Sequence, residues 1–311
     1  MSTTTKGTAG YDRRRELQAF DDTKAGVKGL VDASVTTIPP IFHHPPDSLA
    51  TSSTATIPVI DLSGRRSEVV GEVRAATETV GFFQVVNHGV PADLLAEMLA
   101  SVRRFHESPA EAKTPHYTRD LARKLAVRVL ARVWEAMGLA PDRLEKMGCA
   151  DGLSVVSNYY PPCPQPHLTL GTSRHSDPAF LTVLLQDDMA GLQVLVDDDG
   201  EKRAVWADVP PVPGALVINV GDLLQLVSNG RLKSVEHRVV ANRSRDRARI
   251  SVAAFFNADL RQTTAVYGPI EEQVTSSAPP LYRSITVEEF LSHYDGKGLD
   301  GRPALDHFLL P

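Results

Sequence analysis

The chain has 311 residues, 42% of them hydrophobic, which is enough for a sizeable core in one large domain or two modest ones. A net charge of −5 argues against a broad basic surface for nucleic acid, and two cysteines, Cys149 and Cys163, give no disulfide framework. No apolar run approaches the roughly 20 residues of a membrane span, and the first residues carry no apolar signal core, so a soluble, cytoplasmic monomer is expected.

In chain order, residues 11–33 predict a short helix with Leu17, Phe20 and Val27 on one side. "TTIPPIFHHPPDSLATSSTAT" predicts an extended loop. "IPVIDLSG" (57–64) is a short strand with a turn after it. From Arg66 to Val80, Val69, Val73, Ala76 and Val80 recur at helical spacing. "GFFQVVNHGV" (81–90) is a strand. Pro91 then opens a helix to about Glu107 that carries Leu94, Leu95, Met98, Val102 and Phe105. A further helix is expected over about Leu121–Met137. From 153 to 257, short β-prone runs alternate with Pro, Gly and Asn-Gly punctuation, the texture of a jelly roll. The insert "VDDDGEKRA" (196–204) is a solvated hairpin loop. Thr286 with Glu289 forms a capping box that opens a short helix to about Tyr294.

Within the β-rich region, "TSRHSDPAFLTVLLQD" sets His175 two residues before Asp177. If that segment is extended, both side chains face one way. His237, in "LKSVEHRVV", is the best third ligand, because it lies in a β-prone run of the same region. Two histidines and a carboxylate make the facial triad of non-haem Fe(II) oxygenases. "RARISVAAFF" places Arg249 and Ser251 at i and i+2, a planar fork and a hydroxyl suited to a carboxylate. Asn158 and Tyr160 in "SNYYPPCPQP" have the same spacing, and Tyr160 offers its phenol to that carboxylate.

"NYYPPCPQP", "GTSRHSD", "GLQVL", "PGALVINVGDLLQLVSNGRLKSVEHRVV" and "RISVAAFF", in this order, resemble the 2-oxoglutarate and Fe(II)-dependent dioxygenases of plants. "IPVIDLSG" and "GFFQVVNHGV" resemble that family's N-terminal region. "YDRRRELQAFDDTKAGVKGLVD" with "IPPIFHHPP" resembles the branch named as homologues of 1-aminocyclopropane-1-carboxylate oxidase, which includes the benzoxazinoid dioxygenases. The resemblance implies a mainly β fold with some α, a double-stranded β-helix (jelly roll) core flanked by helices. The implied divisions are an N-terminal extension and loop over 1–56, a mixed helical region over 57–152, the jelly-roll core over 153–257 and a C-terminal segment with a short helix over 258–311.

It also implies that His175, Asp177 and His237 bind Fe(II). Arg249 and Ser251 would bind the distal carboxylate of 2-oxoglutarate, with a hydrogen bond from Tyr160 and with Asn158 beside the co-substrate. O2 would be the oxidant, ascorbate a reductant, and a small plant specialised metabolite the substrate. One departure stands out. Between "HYTRD" (116–120) and "LARKLAVRVL" (121–130), similar proteins carry several dozen more residues. Two rival readings follow. One is a shortened member that binds iron and 2-oxoglutarate without competent turnover. The other is an ascorbate-using oxidase of the 1-aminocyclopropane-1-carboxylate type.

Overall fold

The computed structural model describes residues 12–45, 51–52, 56–109, 112, 146–149, 151–198, 203–259, 264–298 and 302–311. The expected helix over Leu121–Met137 and the junction at Asp120 lie outside the described residues.

The N-terminal segment forms two helices and not the single one expected: α1 (Arg13–Asp22) and α2 (Gly26–Asp32). The break falls at Lys24 and Gly26, both at positive φ, which a continuing α-helix excludes. α3 (Arg66–Thr79) buries Val69, Val73 and Ala76 as the periodicity predicts. α4 (Ala92–Glu107) begins one residue after Pro91, which caps it in an extended conformation. Its six apolar positions do not form one stripe: Leu95, Leu99 and Val102 pack on the core, while Leu94, Met98 and Phe105 are exposed.

Two sheets face each other. The first has the order β1 (Thr51–Ser52), β8 (Arg203–Asp208), β7 (Leu192–Asp198), β10 (His237–Val240) and β5 (Leu170–His175). The second has the order β2 (Val59–Asp61), β3 (Phe82–Val86), β9 (Leu216–Val220), β6 (Leu181–Gln186), β11 (Arg249–Asn257) and β4 (Gly152–Tyr160). This is the jelly-roll layout expected. Strands β7 and β8 pair out to Asp198 and Arg203, so five of the nine residues of the expected loop over 196–204 are strand, and the other four lie outside the described residues.

The second sheet is covered on both faces, and period-two alternation separates the coverings. Val183, Ile218, Val252 and Phe256 face a large apolar cluster that includes α3, α5 (Asp222–Val227) and α6 (Val287–Lys297). The opposite face meets the first sheet around Phe82, Tyr160, Leu192, Val194, Val217 and Val239. α6 runs to Lys297, past the expected Tyr294. The Thr286 hydroxyl caps it by accepting from the Glu289 amide at 3.1 Å, but the Glu289 carboxylate pairs with Arg283 instead of completing the box. Among the described residues no helix is long and apolar enough to cross a membrane.

Candidate metal and co-substrate site

β5 and β10 are antiparallel neighbours, and His175 at the end of one is the register partner of His237 at the start of the other. Asp177 lies two residues past the end of β5, just ahead of a bend over 178–180. Gly221 packs close against this stretch, since a Cβ there would lie 2.1 Å from the Ala179 carbonyl and 3.0 Å from that of Asp177. The outcome is convergence: Asp177 Oδ1 stands 3.6 Å from His175 Nε2 and 3.5 Å from His237 Nε2. These are the only three metal-competent side chains found clustered among the described residues.

The surroundings aim each donor. His175 Nδ1 lies 2.8 Å from the Ser173 carbonyl and His237 Nδ1 3.4 Å from that of Val235, which leaves both Nε2 lone pairs facing Asp177. Asp177 Oδ2 accepts from Thr182 Oγ1 at 2.5 Å and Asn219 Nδ2 at 2.8 Å, so Oδ1 is the oxygen left for a ligand. Behind it, buried Asp222 accepts from Ser176 and Ser234, and its amide donates to the Asp177 carbonyl at 2.8 Å. Burial pushes the Asp222 carboxyl up to about 7. Burial also pulls His237 down to about 4, which keeps it the neutral imidazole a metal requires. Burial raises Asp177 too, but the two imidazoles and the two hydrogen bonds outweigh it and hold the carboxyl below its usual range. His175 is the most exposed ligand, at 20% of its side chain, so the cluster opens to solvent on that side.

A second group occupies the inner face of β4, β11 and β6. Arg249 pairs in register with Tyr160, and Ser251 with both Asn158 and Gln186. Arg249 is only 2% exposed. Its Nε donates to the Met189 carbonyl at 3.1 Å and its Nη2 to Gln186 Oε1 at 2.9 Å. Nη1 and Gln186 Nε2 are both buried without a hydrogen-bond partner. Burial lowers the Arg249 pKa, opposed by the Tyr160 phenol and Asp187. A buried guanidinium with an unspent donor is costly unless an anion completes it. Tyr160 supplies its ring, 5.2 Å from the Arg249 guanidinium carbon, while its hydroxyl pairs with Thr172 Oγ1 at 3.1 Å. Asn158 reaches the Ser251 hydroxyl only at 3.5 Å.

Both groups hang from one strand. Thr182, which holds Asp177, and Gln186, which holds Arg249, lie four residues apart on β6, roughly 13 Å at 3.3 Å per residue. The donor set fits Fe(II), and the orphaned guanidinium nitrogen fits a carboxylate. Gln186, Thr182, Asn219 and Thr172 were not singled out from the sequence. The available signal was a polar residue at alternate positions of otherwise apolar strands, as in Thr182 and Gln186 of "FLTVLLQD".

Comparison with known proteins points the same way. A family model described as the 2OG-Fe(II) oxygenase superfamily matches residues 152–258, and one described as the non-haem dioxygenase N-terminal region, named for morphine synthesis, matches 57–129. The chain is 41% identical to 1-aminocyclopropane-1-carboxylate oxidase homolog 3 of Arabidopsis thaliana, covering 96% of this chain and 97% of the relative. It is 38% identical to deacetoxyvindoline 4-hydroxylase of Catharanthus roseus, over 95% and 89%. Among solved structures, JOX2 in complex with 2OG, Fe and JA superposes with a TM-score of 0.77 at 28% identity, covering 92% and 97% of the two chains. The alignment to the Arabidopsis relative runs to 365 positions although 96% of these residues take part, so several dozen positions of it hold no residue of this chain.

Proposed function

The chain belongs to the 2OG-Fe(II) oxygenase superfamily, and from that premise we propose that it oxidises, most simply by hydroxylation, a small plant specialised metabolite. The enzyme class is a non-haem Fe(II), 2-oxoglutarate-dependent dioxygenase. The observation that carries the proposal is the pairing of a convergent His175, Asp177, His237 cluster with a buried, incompletely bonded Arg249 on the same barrel interior.

In this reading His175, Asp177 and His237 hold the ion. When bound, Fe(II) supplies O2 activation, with 2-oxoglutarate consumed to succinate and CO2 and the substrate oxidised. The protein supplies position and a dry site. Thr182 and Asn219 fix the Asp177 carboxylate. Arg249 Nη1 and the Ser251 hydroxyl take the distal carboxylate, and Gln186 fixes the guanidinium. Tyr160 lays its ring beside that ion pair, and its phenol, shared with Thr172, is placed to add the hydrogen bond expected from sequence. The His175 side, the more open side of the cluster, is where substrate enters.

The several dozen relative positions without a counterpart favour a second reading, in which the chain binds iron and 2-oxoglutarate but couples their turnover poorly. One experiment separates them. Protein with Fe(II), 2-oxoglutarate and ascorbate is assayed for succinate and for oxidised product across a panel of aromatic and heterocyclic plant metabolites. Succinate matched by product supports hydroxylation, and succinate without product supports the impaired form. No succinate from any mixture would defeat both. Product formed with ascorbate alone would instead mark the 1-aminocyclopropane-1-carboxylate oxidase type.

A further inference from the structure

A cavity of about 590 Å³ lies away from the metal cluster. It lies between the N-terminal segment and the rim where β4, β5 and the loop after β10 meet, and it shares one wall, Tyr160, with the Arg249 site. Its size is that of a small-molecule pocket. None of His175, Asp177, His237 or Arg249 lines it.

The pocket is built from fixed parts. The Ile38 amide donates to Gln165 Oε1 at 2.8 Å, the His44 amide to the Leu168 carbonyl at 2.8 Å, and Arg13 to the Ile41 carbonyl at 3.2 Å, so the N-terminal segment is tied across the barrel rim. On the far wall, buried Asn242 donates to the carbonyls of Tyr160 and Arg247, and its own carbonyl accepts from the Cys163 amide. Gly171 completes the floor. A Cβ there would lie 2.8 Å from Tyr160 Cδ1, so glycine lets the tyrosine ring lie flat against β5.

The lining has two chemistries. One is apolar and rigid: Leu30, Val31, Phe42, Tyr159 and a set of prolines. Val27 and Val31 of α2 remain 37% and 39% exposed, with their faces turned to this space. The other is cationic: Arg243 and Arg245, for which the described residues offer no ion-pair partner, line one side, and no acidic residue is among the described lining residues. In a chain of net charge −5, two unpaired arginines on an acid-free apolar groove are complementary to an anion with an apolar body.

We propose that this groove is a second ligand site, separate from the oxidation site, that takes a small apolar carboxylate, its ring or chain against α2 and the proline wall and its carboxylate at Arg243 and Arg245. The site needs no metal, so it stands or falls apart from the catalytic proposal.

The test uses the full chain loaded with Mn(II) and saturated with N-oxalylglycine, which fills the co-substrate site. Binding of 1-naphthaleneacetate and of its neutral amide is measured by calorimetry. The acid should bind at least fivefold tighter than the amide, and the Arg243→Gln/Arg245→Gln double variant should erase that preference while the amide still binds. Leu30→Trp, which fills the apolar part, should weaken both ligands at least tenfold. Should Leu30→Trp lower the melting temperature, the arginine pair decides alone, because both side chains are exposed and their replacement leaves the core intact. Equal binding of acid and amide, an acid preference that survives the double variant, or binding seen only without N-oxalylglycine would each overturn the proposal. So would a dimer that forms on this face and excludes the ligand, seen by sedimentation.

Discussion

Replacing Arg249 by glutamine removes the group on which co-substrate binding is argued to turn. The guanidinium spends Nε on Met189 and Nη2 on Gln186, so Nη1 is the donor left for a ligand. One charge-assisted hydrogen bond in a buried site is worth about 1.5–3 kcal/mol. At 1.4 kcal/mol per factor of ten, Arg249→Gln should weaken 2-oxoglutarate about 10- to 150-fold. The triad sits on β5, on β10 and just past the end of β5, and should keep its metal affinity within about twofold, since sites without shared partners act nearly independently. Anaerobic calorimetry of 2-oxoglutarate into Fe(II)-loaded protein, with iron affinity measured separately, reads both numbers. The stability readout is independent: a saturating ligand at 100 times Kd raises stability by about 2.7 kcal/mol, and about 1.3–2.4 kcal/mol of that rise should vanish in the variant at the same ligand concentration. Less than a threefold change in 2-oxoglutarate affinity would refute the role given to Arg249. A parallel loss of iron affinity would show that the two groups are not separable as argued.

Three further outcomes are expected. His237→Ala should abolish stoichiometric Fe(II) binding and with it the weak visible absorption of the anaerobic Fe(II)–2-oxoglutarate complex, and full iron stoichiometry in that variant would count against the triad. Thr182→Val, which frees Asp177 Oδ2 from one of its two donors, should cost about 10- to 100-fold in metal affinity, measured by competition with a chromophoric chelator, while leaving the melting temperature nearly unchanged. Inserting the segment that an Arabidopsis relative carries, between Asp120 and Leu121, should raise product per succinate and the melting temperature together; equal values with and without it would show that other parts of the chain close the pocket.

The candidate metal ligands were legible as residue types: His175, Asp177 and His237 stand out in a β-prone, largely apolar region. Arg249 on its own read more readily as an arginine on a wet strand face, and only its place among the ordered motifs marked it for a carboxylate. The geometry between them was less readable. Asp177 reaches the site from beyond the end of β5, and nothing in the spacing of His175 and Asp177 shows where the strand stops. The supporting residues were hidden for a different reason. A sheet buried on both faces reads as one apolar run, so Thr182, Gln186 and Asn219 look like interruptions until the partner faces are known. The split of the N-terminal helix turned on the backbone at Lys24, a residue whose side chain gives no such warning.

The division of the second sheet into an apolar outer face and a polar inner face has an evolutionary consequence. Val183, Ile218 and Val252 hold the molecule together from one side, while Thr182, Asn219, Gln186 and Arg249 on the other contribute chemistry. Buried polar groups of this kind add little to stability when partners are replaced together by apolar residues of similar volume, but removing one partner alone leaves the other buried and unsatisfied. Decay of the inner face is therefore silent only where partners change together: a lineage released from the need for turnover that lost Arg249 along with Gln186 would keep a folded, heat-stable jelly roll that no stability screen would distinguish from its working ancestor.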